Sequence, residues 1–303
     1  MTALGVAAPP RGGLDVVLPG QAIRLAATRW PGPETTPVVL LHGLSSQRRF
    51  WNLVVTHLGG VPLLALDQRG HGDSDRPETD YALTTVAGDL ATALDALGWS
   101  RVVVVGHSWG GAVAATFAAE FAHRTLALVA IDGGFSSPLG DGADRALRRQ
   151  QLEPPRIAAA PDELVSMFRS RTPAAQWNND VAAAVLPIFE VGDDGLARPR
   201  LPFDRHMQIV DTLLDYNASD VLARVSCPTW IVSCESVEDV VPRADPAAHD
   251  NEWTVARAAA LANVVRIRPE ARVLRWGGAV HDVPLQWPAL VAGLIRAATE
   301  QIG

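Results

Sequence analysis

Short apolar runs rich in β-branched residues alternate with longer segments of helical period along most of the chain. Each run is apolar at successive positions and is bounded by turn residues. Strands buried on both faces have this pattern, because helices cover both sides of a parallel sheet. The predicted strands are 38–41, 63–66, 101–105 and 126–131, preceded by a hairpin of 14–18 and 22–28, and the predicted helices between them are 47–58, 84–97 and 109–122.

The alternation stops near residue 136 and resumes near residue 218. The segment between has no clear strand but several helical stretches, at 144–151, 161–169, 179–189 and 204–216. It is too long for a plain loop, so we expect a helical cap subdomain at 136–217 and a core domain formed by 1–135 and 218–303. Strands at 229–233 and 272–276 and helices at 253–265 and 289–301 complete the series. The predicted fold class is α/β, a mostly parallel eight-stranded sheet with helices on both faces plus the inserted cap.

Composition narrows the class of protein without identifying it. Hydrophobic residues make up 48% of the chain and charged residues 19%, as in a soluble globular protein. The net charge is −7, from 33 acidic and 26 basic residues. No run of Lys or Arg forms a phosphate-binding face, so nucleic acid is not an expected partner.

No segment indicates export or insertion into a membrane. The first residues lack the basic and apolar regions of a signal peptide, and no apolar stretch approaches the ~18–20 residues of a membrane helix. A cytoplasmic location is therefore expected. Cys227 and Cys234 bracket a predicted strand, which holds them too far apart to pair, and no metal-ligand spacing surrounds them. We expect buried thiols and no metal.

The strongest chemical signal is Gly106-His107-Ser108-Trp109-Gly110, directly after a buried run and directly before an Ala/Gly-rich segment. A Gly-x-Ser-x-Gly sequence between a strand and a helix is a nucleophile elbow. Small residues must flank the serine because the turn is tight, and the helix N-terminus presents N–H groups to a developing oxyanion. Ser108 is therefore the predicted nucleophile.

His281 lies in the loop between the last predicted strand and the last predicted helix. A general base must come from a loop that reaches over the sheet edge to the serine, and this loop has that position. The other histidines lie at helix ends, in turns, outside the expected position or beside the oxyanion groups. His281 is the predicted base.

Several motifs together resemble the α/β-hydrolase superfamily, and the resemblance covers nearly the whole chain. His42-Gly43 is similar to the oxyanion loop of that family, with Phe50-Trp51 following, and 67–74 (DQRGHGDS) is similar to its Asp-x-Arg-Gly-x-Gly-x-Ser turn. The resemblance implies that the backbone N–H groups of Leu44 and Trp109 form the oxyanion hole. It also implies a cap after the sixth strand. Asp67 and Arg69 are expected to brace the loop and to do no chemistry.

The acid of the triad has two candidate positions. Most members of the family carry it after the seventh strand, in Gly-x-x-Asp followed by Pro, but 233–242 (SCESVEDVVP) lacks the glycine. That loop contains three candidate acids, Glu235, Glu238 and Asp239. Asp132, at the end of the sixth strand, is the position used by some relatives such as certain dehalogenases and lactonases. Asp132 is preferred as a single residue, with Glu238 as the alternative.

The resemblance implies a cofactor-free serine hydrolase that cleaves a carboxylic ester or lactone of a small hydrophobic molecule. The serine disfavours the dehalogenase and epoxide hydrolase branches, whose nucleophile is an aspartate. Thioester, amide or carbon–carbon bond cleavage, perhydrolysis, and a ligand receptor with slow turnover remain alternatives. The predicted cap offers apolar side chains that could roof a pocket or form its own core: Met167, Phe168, Trp177, Phe189, Phe203 and Met207.

Overall fold

The predicted sheet is present in the computed structural model, which describes residues 9–33, 35–139, 143–171, 176–235 and 252–302. The described strands form one eight-stranded sheet in the order β1-β2-β4-β3-β5-β6-β9-β10 and a separate pair, β7-β8. β1 and β2 are antiparallel to their neighbours, and the remaining strands of the large sheet are parallel. The strands are β1 Leu14–Pro19, β2 Arg24–Trp30, β3 Val38–Leu41, β4 Leu63–Leu66, β5 Val102–His107, β6 Thr125–Ile131, β7 Phe189–Val191, β8 Ala197–Pro199, β9 Thr229–Glu235 and β10 Arg272–Gly277.

Helices cover both faces of the sheet, which confirms the predicted fold class. The helices are α1 Asn52–Val55, α2 Leu83–Ala96, α3 Trp109–Glu120, α4 Arg145–Gln151, α5 Pro161–Arg171, α6 Asn179–Val185, α7 Phe203–Leu214, α8 Ala218–Arg224, α9 Glu252–Ile267, α10 Val283–Gln286 and α11 Pro288–Glu300. Within the described residues, no helix has the length and apolar character needed to cross a membrane.

Strand β5 shows how the sequence pattern produces two cores. Val102 and Val104 face the core under α2, α3, α8 and α9, whereas Val103 and Val105 face the core under α1, α10 and α11. All four valines have no exposed surface, because alternate side chains of a strand point to opposite faces. An unbroken apolar run is therefore required here. Because both cores hold this strand, they also fix the position of Ser108, which follows its last residue.

The segment between β6 and β9 differs from the prediction of helices alone. It contains α4 to α8, but β7 and β8 pair as a short antiparallel hairpin. Gly195, at φ 77°, supplies the left-handed residue that its turn requires. The predicted helix at 179–189 ends at Val185, because Pro187 lacks the N–H that would continue it.

Two buried ion pairs brace the loops at the carboxyl edge of the sheet. The Arg48 side chain contacts Asp67, whose carboxylate also accepts hydrogen bonds from the backbone N–H groups of Arg48 (2.6 Å) and Asp73 (2.9 Å). The Arg69 guanidinium donates to both carboxylate oxygens of Asp89, at 2.8 and 2.9 Å. These contacts hold the loops after β3 and β4 in place beside the end of β5.

The two cysteines are free and buried. Burial raises the pKa of the Cys227 thiol to about 11, and it raises the pKa of the Cys234 thiol further. Both groups are protonated at neutral pH, so they behave as small apolar side chains.

Candidate active site

Ser108 lies on a sharp turn between β5 and α3, with φ 54° and ψ −123°. This conformation is strained for a residue with a side chain, and the close packing around it explains the two flanking glycines. A side-chain carbon on Gly106 would collide with the Gly110 carbonyl, and one on Gly110 would collide with the carbonyls of Leu41 and His42. The turn presents the Ser108 hydroxyl above the carboxyl edge of the sheet.

His281 lies in the loop between β10 and α10, where the sequence predicts the base. Its backbone carbonyl accepts a hydrogen bond from His107 Nε2 at 2.8 Å, and the two rings lie 4.8 Å apart. Because His107 comes directly before the serine, this bond ties the His281 loop to the elbow itself. No motif in the sequence predicts this contact.

Three side chains form a continuous hydrogen-bonded chain. The Ser108 Oγ lies 3.0 Å from His281 Nε2, and His281 Nδ1 lies 2.6 Å from Asp132 Oδ2. An ionised carboxylate only accepts hydrogen bonds, so Nδ1 must carry the ring proton and Nε2 is free to accept the serine proton. The structure therefore brings together the predicted nucleophile, the predicted base and the preferred acid.

Asp132 is held by two further donors on its second oxygen. It follows β6 with φ 47°, and its Oδ1 accepts from the Cys234 backbone N–H (2.9 Å) and from Arg257 Nη1 (2.8 Å). The Arg257 side chain also donates to the Cys234 carbonyl. Sequence reasoning missed Arg257, which lies in α9 with no motif around it.

Of the alternative acids, Glu235 lies in the described part of the chain, and it makes no hydrogen bond to His281 there. Glu235 ends β9 with its Oε1 bonded to Arg275 Nε at 2.6 Å. Glu238 and Asp239 lie outside the described residues. Asp132 is thus the one candidate carboxylate for which the structure gives a distance to the imidazole.

The predicted oxyanion donors lie on the two sides of Ser108. Trp109 is the first residue of α3, and Leu44 follows Gly43, where an added side-chain carbon would lie 3.1 Å from Ser108 Cβ. Within the described residues, neither the Leu44 nor the Trp109 amide donates to a protein acceptor. Both N–H groups therefore remain available to an oxyanion formed on the serine.

A second set of histidines supports the loop that carries Leu44. The Ser45 backbone N–H donates to His71 Nε2 at 3.2 Å, and the Ser45 hydroxyl lies 2.9 Å from His206 Nδ1. The Gln68 backbone N–H donates to His42 Nε2 at 3.1 Å. Burial lowers the pKa of His42 to about 4 and holds that of His71 well below its ordinary 6.5, so both rings are neutral supports.

Comparison with known proteins identifies the fold. The family model described as the α/β hydrolase fold matches residues 36–163. The chain has the α/β-hydrolase fold. The segment that matches the family model includes Ser108 and Asp132, whereas His281 lies beyond it.

Individual relatives of this α/β-hydrolase match only in part. Epoxide hydrolase B of Mycobacterium tuberculosis is 35% identical over 121 residues, 39% of this chain and 34% of that protein. Lipase LipV of the same organism is 39% identical over 95 residues, 31% of this chain and 36% of that protein. The matches span about a third of the length of these curated relatives. The solved structure of an E-2-(acetamidomethylene)succinate hydrolase shares the fold, with a TM-score of 0.77 at 22% identity over 95% of this chain and 99% of that chain.

The charges of the Asp132–His281 pair shift both pKa values toward the ionised forms. Desolvation opposes protonation of His281, but the hydrogen bond and charge of Asp132 outweigh it, so the pKa of His281 is above its ordinary 6.5. Burial acts to raise the pKa of Asp132, but His281, Arg257 and the Cys234 amide bring it below its ordinary 3.8. Asp132 is therefore ionised over the whole neutral range.

A cavity of about 400 Å³ lies between the segment that follows β6 and the loops after β3 and β4. Ser45, beside Leu44, and His71, whose ring stacks on Trp109 at 5.2 Å, form its wall on the core side. Ser108 and His281 are not among its lining residues, and the cavity wall reaches the predicted oxyanion donors through their neighbours Ser45 and His71. Of the apolar residues singled out from the sequence, Met167, Phe168, Phe189 and Phe203 line it, whereas Trp177 and Met207 do not.

Proposed function

We propose that this chain is a serine hydrolase that cleaves a carboxylic ester or lactone of a small molecule through an acyl-enzyme on Ser108. The observation that carries the proposal is the chain of hydrogen bonds from Ser108 Oγ through His281 to Asp132, at 3.0 and 2.6 Å. A serine hydroxyl is a weak nucleophile, and an adjacent base oriented by a third group is what activates it.

The geometry supports an acylation step in which each group has one role. His281 Nε2 takes the Ser108 proton as Oγ bonds to the carbonyl carbon of the substrate. The negative charge that develops on the carbonyl oxygen is stabilised by the Leu44 and Trp109 N–H groups. The imidazolium, stabilised by Asp132, then gives its proton to the leaving oxygen, and the carbon–oxygen bond breaks.

Deacylation reverses these roles and explains why an acyl substrate fits better than an epoxide. Water gives a proton to His281 Nε2 as its oxygen bonds to the acyl carbonyl carbon. The bond from that carbon to Ser108 Oγ then breaks, and the imidazolium returns the proton to Oγ, which releases the acid and restores Ser108. An epoxide opened by a serine would instead leave an ether, which has no carbonyl for water to attack. Ser108 therefore favours acyl chemistry, although epoxide hydrolases are among the relatives.

Labelling with a fluorophosphonate tests the proposal directly. The probe should form a covalent adduct on Ser108, located by mass spectrometry of the digested protein, and p-nitrophenyl esters should be turned over repeatedly. Labelling without repeated turnover would favour a ligand receptor over an enzyme. An adduct on another residue would contradict the mechanism.

The pH dependence should show the state of His281. We expect kcat/KM to fall toward acid with a pKa above 6.5, because Asp132 raises that of the imidazole and a protonated ring cannot accept the serine proton. His107 cannot produce this limb, since burial lowers its pKa to about 4. The measurement is the initial rate between pH 5 and 9 under sub-saturating ester, and a flat profile down to pH 5 would rule out His281 as the base.

Removing Arg257 should move that acid limb to higher pH. The groups that face His281 are Asp132, Asp282, His107 and Arg257, and the positive charge of Arg257 is the one that disfavours the imidazolium beyond the effect of burial. Arg257→Gln is therefore expected to raise the pKa seen in kcat/KM, whereas Arg257→Lys should leave it close to the original value.

A surface arginine on the same helix supplies the control for this shift. Arg266 lies in α9 and bonds to Asn263. Arg266→Gln should leave the profile unchanged. An unmoved limb in Arg257→Gln, or a shift toward acid, would mean that Arg257 supports the fold without adjusting the base.

A further inference from the structure

The lining of the cavity is cationic, although the chain as a whole carries a net charge of −7. Three arginines line it, and none of its lining residues, all within the described part of the chain, is an aspartate or glutamate. Most of the remaining wall is apolar. Clefts with charge of one sign and low-dielectric walls concentrate ligands of the opposite sign. The three arginines are Arg156, Arg198 and Arg200.

Two of the three guanidinium groups are neutralised by carboxylates outside the lining. Arg198 pairs with Asp194 at 2.5 Å, and Arg200 pairs with Asp73 at 3.0 Å and lies 3.7 Å from Glu190. Their charges therefore contribute little net attraction to a ligand. Instead they stabilise the rim of the cavity. Arg198 joins strand β8 to the turn of its own hairpin, and Arg200, which follows β8, joins the hairpin to the loop after β4.

Arg156 differs from both. Among the described residues, no carboxylate lies within ion-pair distance of it, and its guanidinium carbon lies 3.8 Å from the centre of the Phe203 ring. An aromatic face holds the guanidinium plane by stacking and leaves its edge N–H groups free. The result is an oriented cation with unused donors at the edge of an apolar cavity.

We propose that Arg156 binds a carboxylate of the substrate, so that the molecule cleaved at Ser108 is an ester with an apolar chain and a carboxylate at its far end. The inference rests on the proposed function, since it names the class of ester. A single guanidinium with free edge donors matches a planar monoanion, with which it forms two parallel hydrogen bonds. The apolar wall formed by Met167, Phe168 and Phe189 would contact the chain between the two ends.

A matched pair of p-nitrophenyl esters tests this inference. p-Nitrophenyl hydrogen suberate has a free carboxylate, and p-nitrophenyl methyl suberate has the same chain with that carboxylate masked. We expect kcat/KM to be higher for the free acid by about ten-fold, the size of one charge-assisted contact. The hydrogen adipate and hydrogen sebacate esters and their methyl counterparts locate the chain length at which the preference is largest.

Substitution of the arginine should remove the preference and little else. Arg156→Gln is expected to lower kcat/KM for the free acids by about ten-fold and to leave the methyl esters unchanged. Arg224→Gln serves as the control, because Arg224 pairs with Glu120 at 2.6 Å and does not line the cavity. A preference that survives Arg156→Gln, or a methyl ester that is cleaved as well as the free acid at every length, would overturn the inference.

Failure of the proposed function would look different. Neither ester of any pair would then release p-nitrophenolate in a Ser108-dependent reaction. Binding to Ser108→Ala, measured by calorimetry with monomethyl suberate and dimethyl suberate, tests the carboxylate contact without hydrolysis. Equal or undetectable binding of the two would overturn the inference about Arg156, whatever the rates show.

Discussion

Ser108→Ala is expected to lower kcat for a p-nitrophenyl ester by on the order of 10³-fold or more and to abolish fluorophosphonate labelling. The substitution removes the oxygen proposed as the nucleophile, 3.0 Å from His281 Nε2, and keeps the side-chain carbon around which the elbow packs. The protein should therefore fold normally, with a thermal unfolding midpoint close to that of the parent. Initial rates at equal protein concentrations, fixed by absorbance, provide the measurement.

Two other variants serve as comparisons for Ser108→Ala. Ser100→Ala, at an exposed serine, should keep full activity. His281→Ala should fall to about the same residual rate as Ser108→Ala, and the double variant should be little slower, because the members of a triad act as one unit. Additive losses would contradict the proposal that Ser108 and His281 act together. Turnover by Ser108→Ala near the parental rate would contradict the proposal that Ser108 is the nucleophile.

Asp132→Asn is expected to reduce kcat by on the order of 10³-fold or more, because it should impose the wrong tautomer on His281. The Cys234 N–H and Arg257 both donate to Oδ1. An asparagine would satisfy these donors with its single oxygen and turn its NH₂ group toward His281 Nδ1. The ring would then accept at Nδ1 and carry its proton at Nε2, where it cannot take the proton of the serine.

The competing acids supply the controls for this variant. Glu235→Gln, Glu238→Gln and Asp239→Asn should each cost at least ~10-fold less kcat than Asp132→Asn, with all four proteins folded. If Asp132→Asn left kcat unchanged and Glu238→Gln or Asp239→Asn lowered it strongly, the acid would lie after β9. Four silent variants would favour a Ser–His pair acting without an acid.

The central strands are the part of the fold that the sequence predicts best. The pattern predicts a strand at 101–105, and β5 is Val102–His107, because the part of a strand that faces two cores must be apolar on both faces. The β7–β8 hairpin is missed for the opposite reason. With three residues in each strand it shows no period, so the pattern predicts only helices on the two sides of its Asp194-Gly195 turn.

The candidate site is predictable where a single segment defines a residue. Ser108 depends on its own strand, turn and helix, and His281 depends on its position after the last strand. The acid depends on which of two distant loops reaches the imidazole, and Asp132 lies 149 residues from His281 in sequence. Arg257 lies 125 residues from Asp132 with no motif to mark it, so only the folded structure reveals the contact.

The bond between Ser45 and His206 makes the loop that carries Leu44 dependent on the segment between β6 and β9. His206, in α7, reaches the hydroxyl of the residue next to Leu44, and its other ring nitrogen lies 3.1 Å from the Leu152 carbonyl. Exchanging the segment between β6 and β9 for that of a relative would delete this bond along with the pocket wall. Grafts intended to change substrate range therefore need a histidine at the place of His206, or a compensating change at Ser45, to keep the conformation of the loop that carries Leu44.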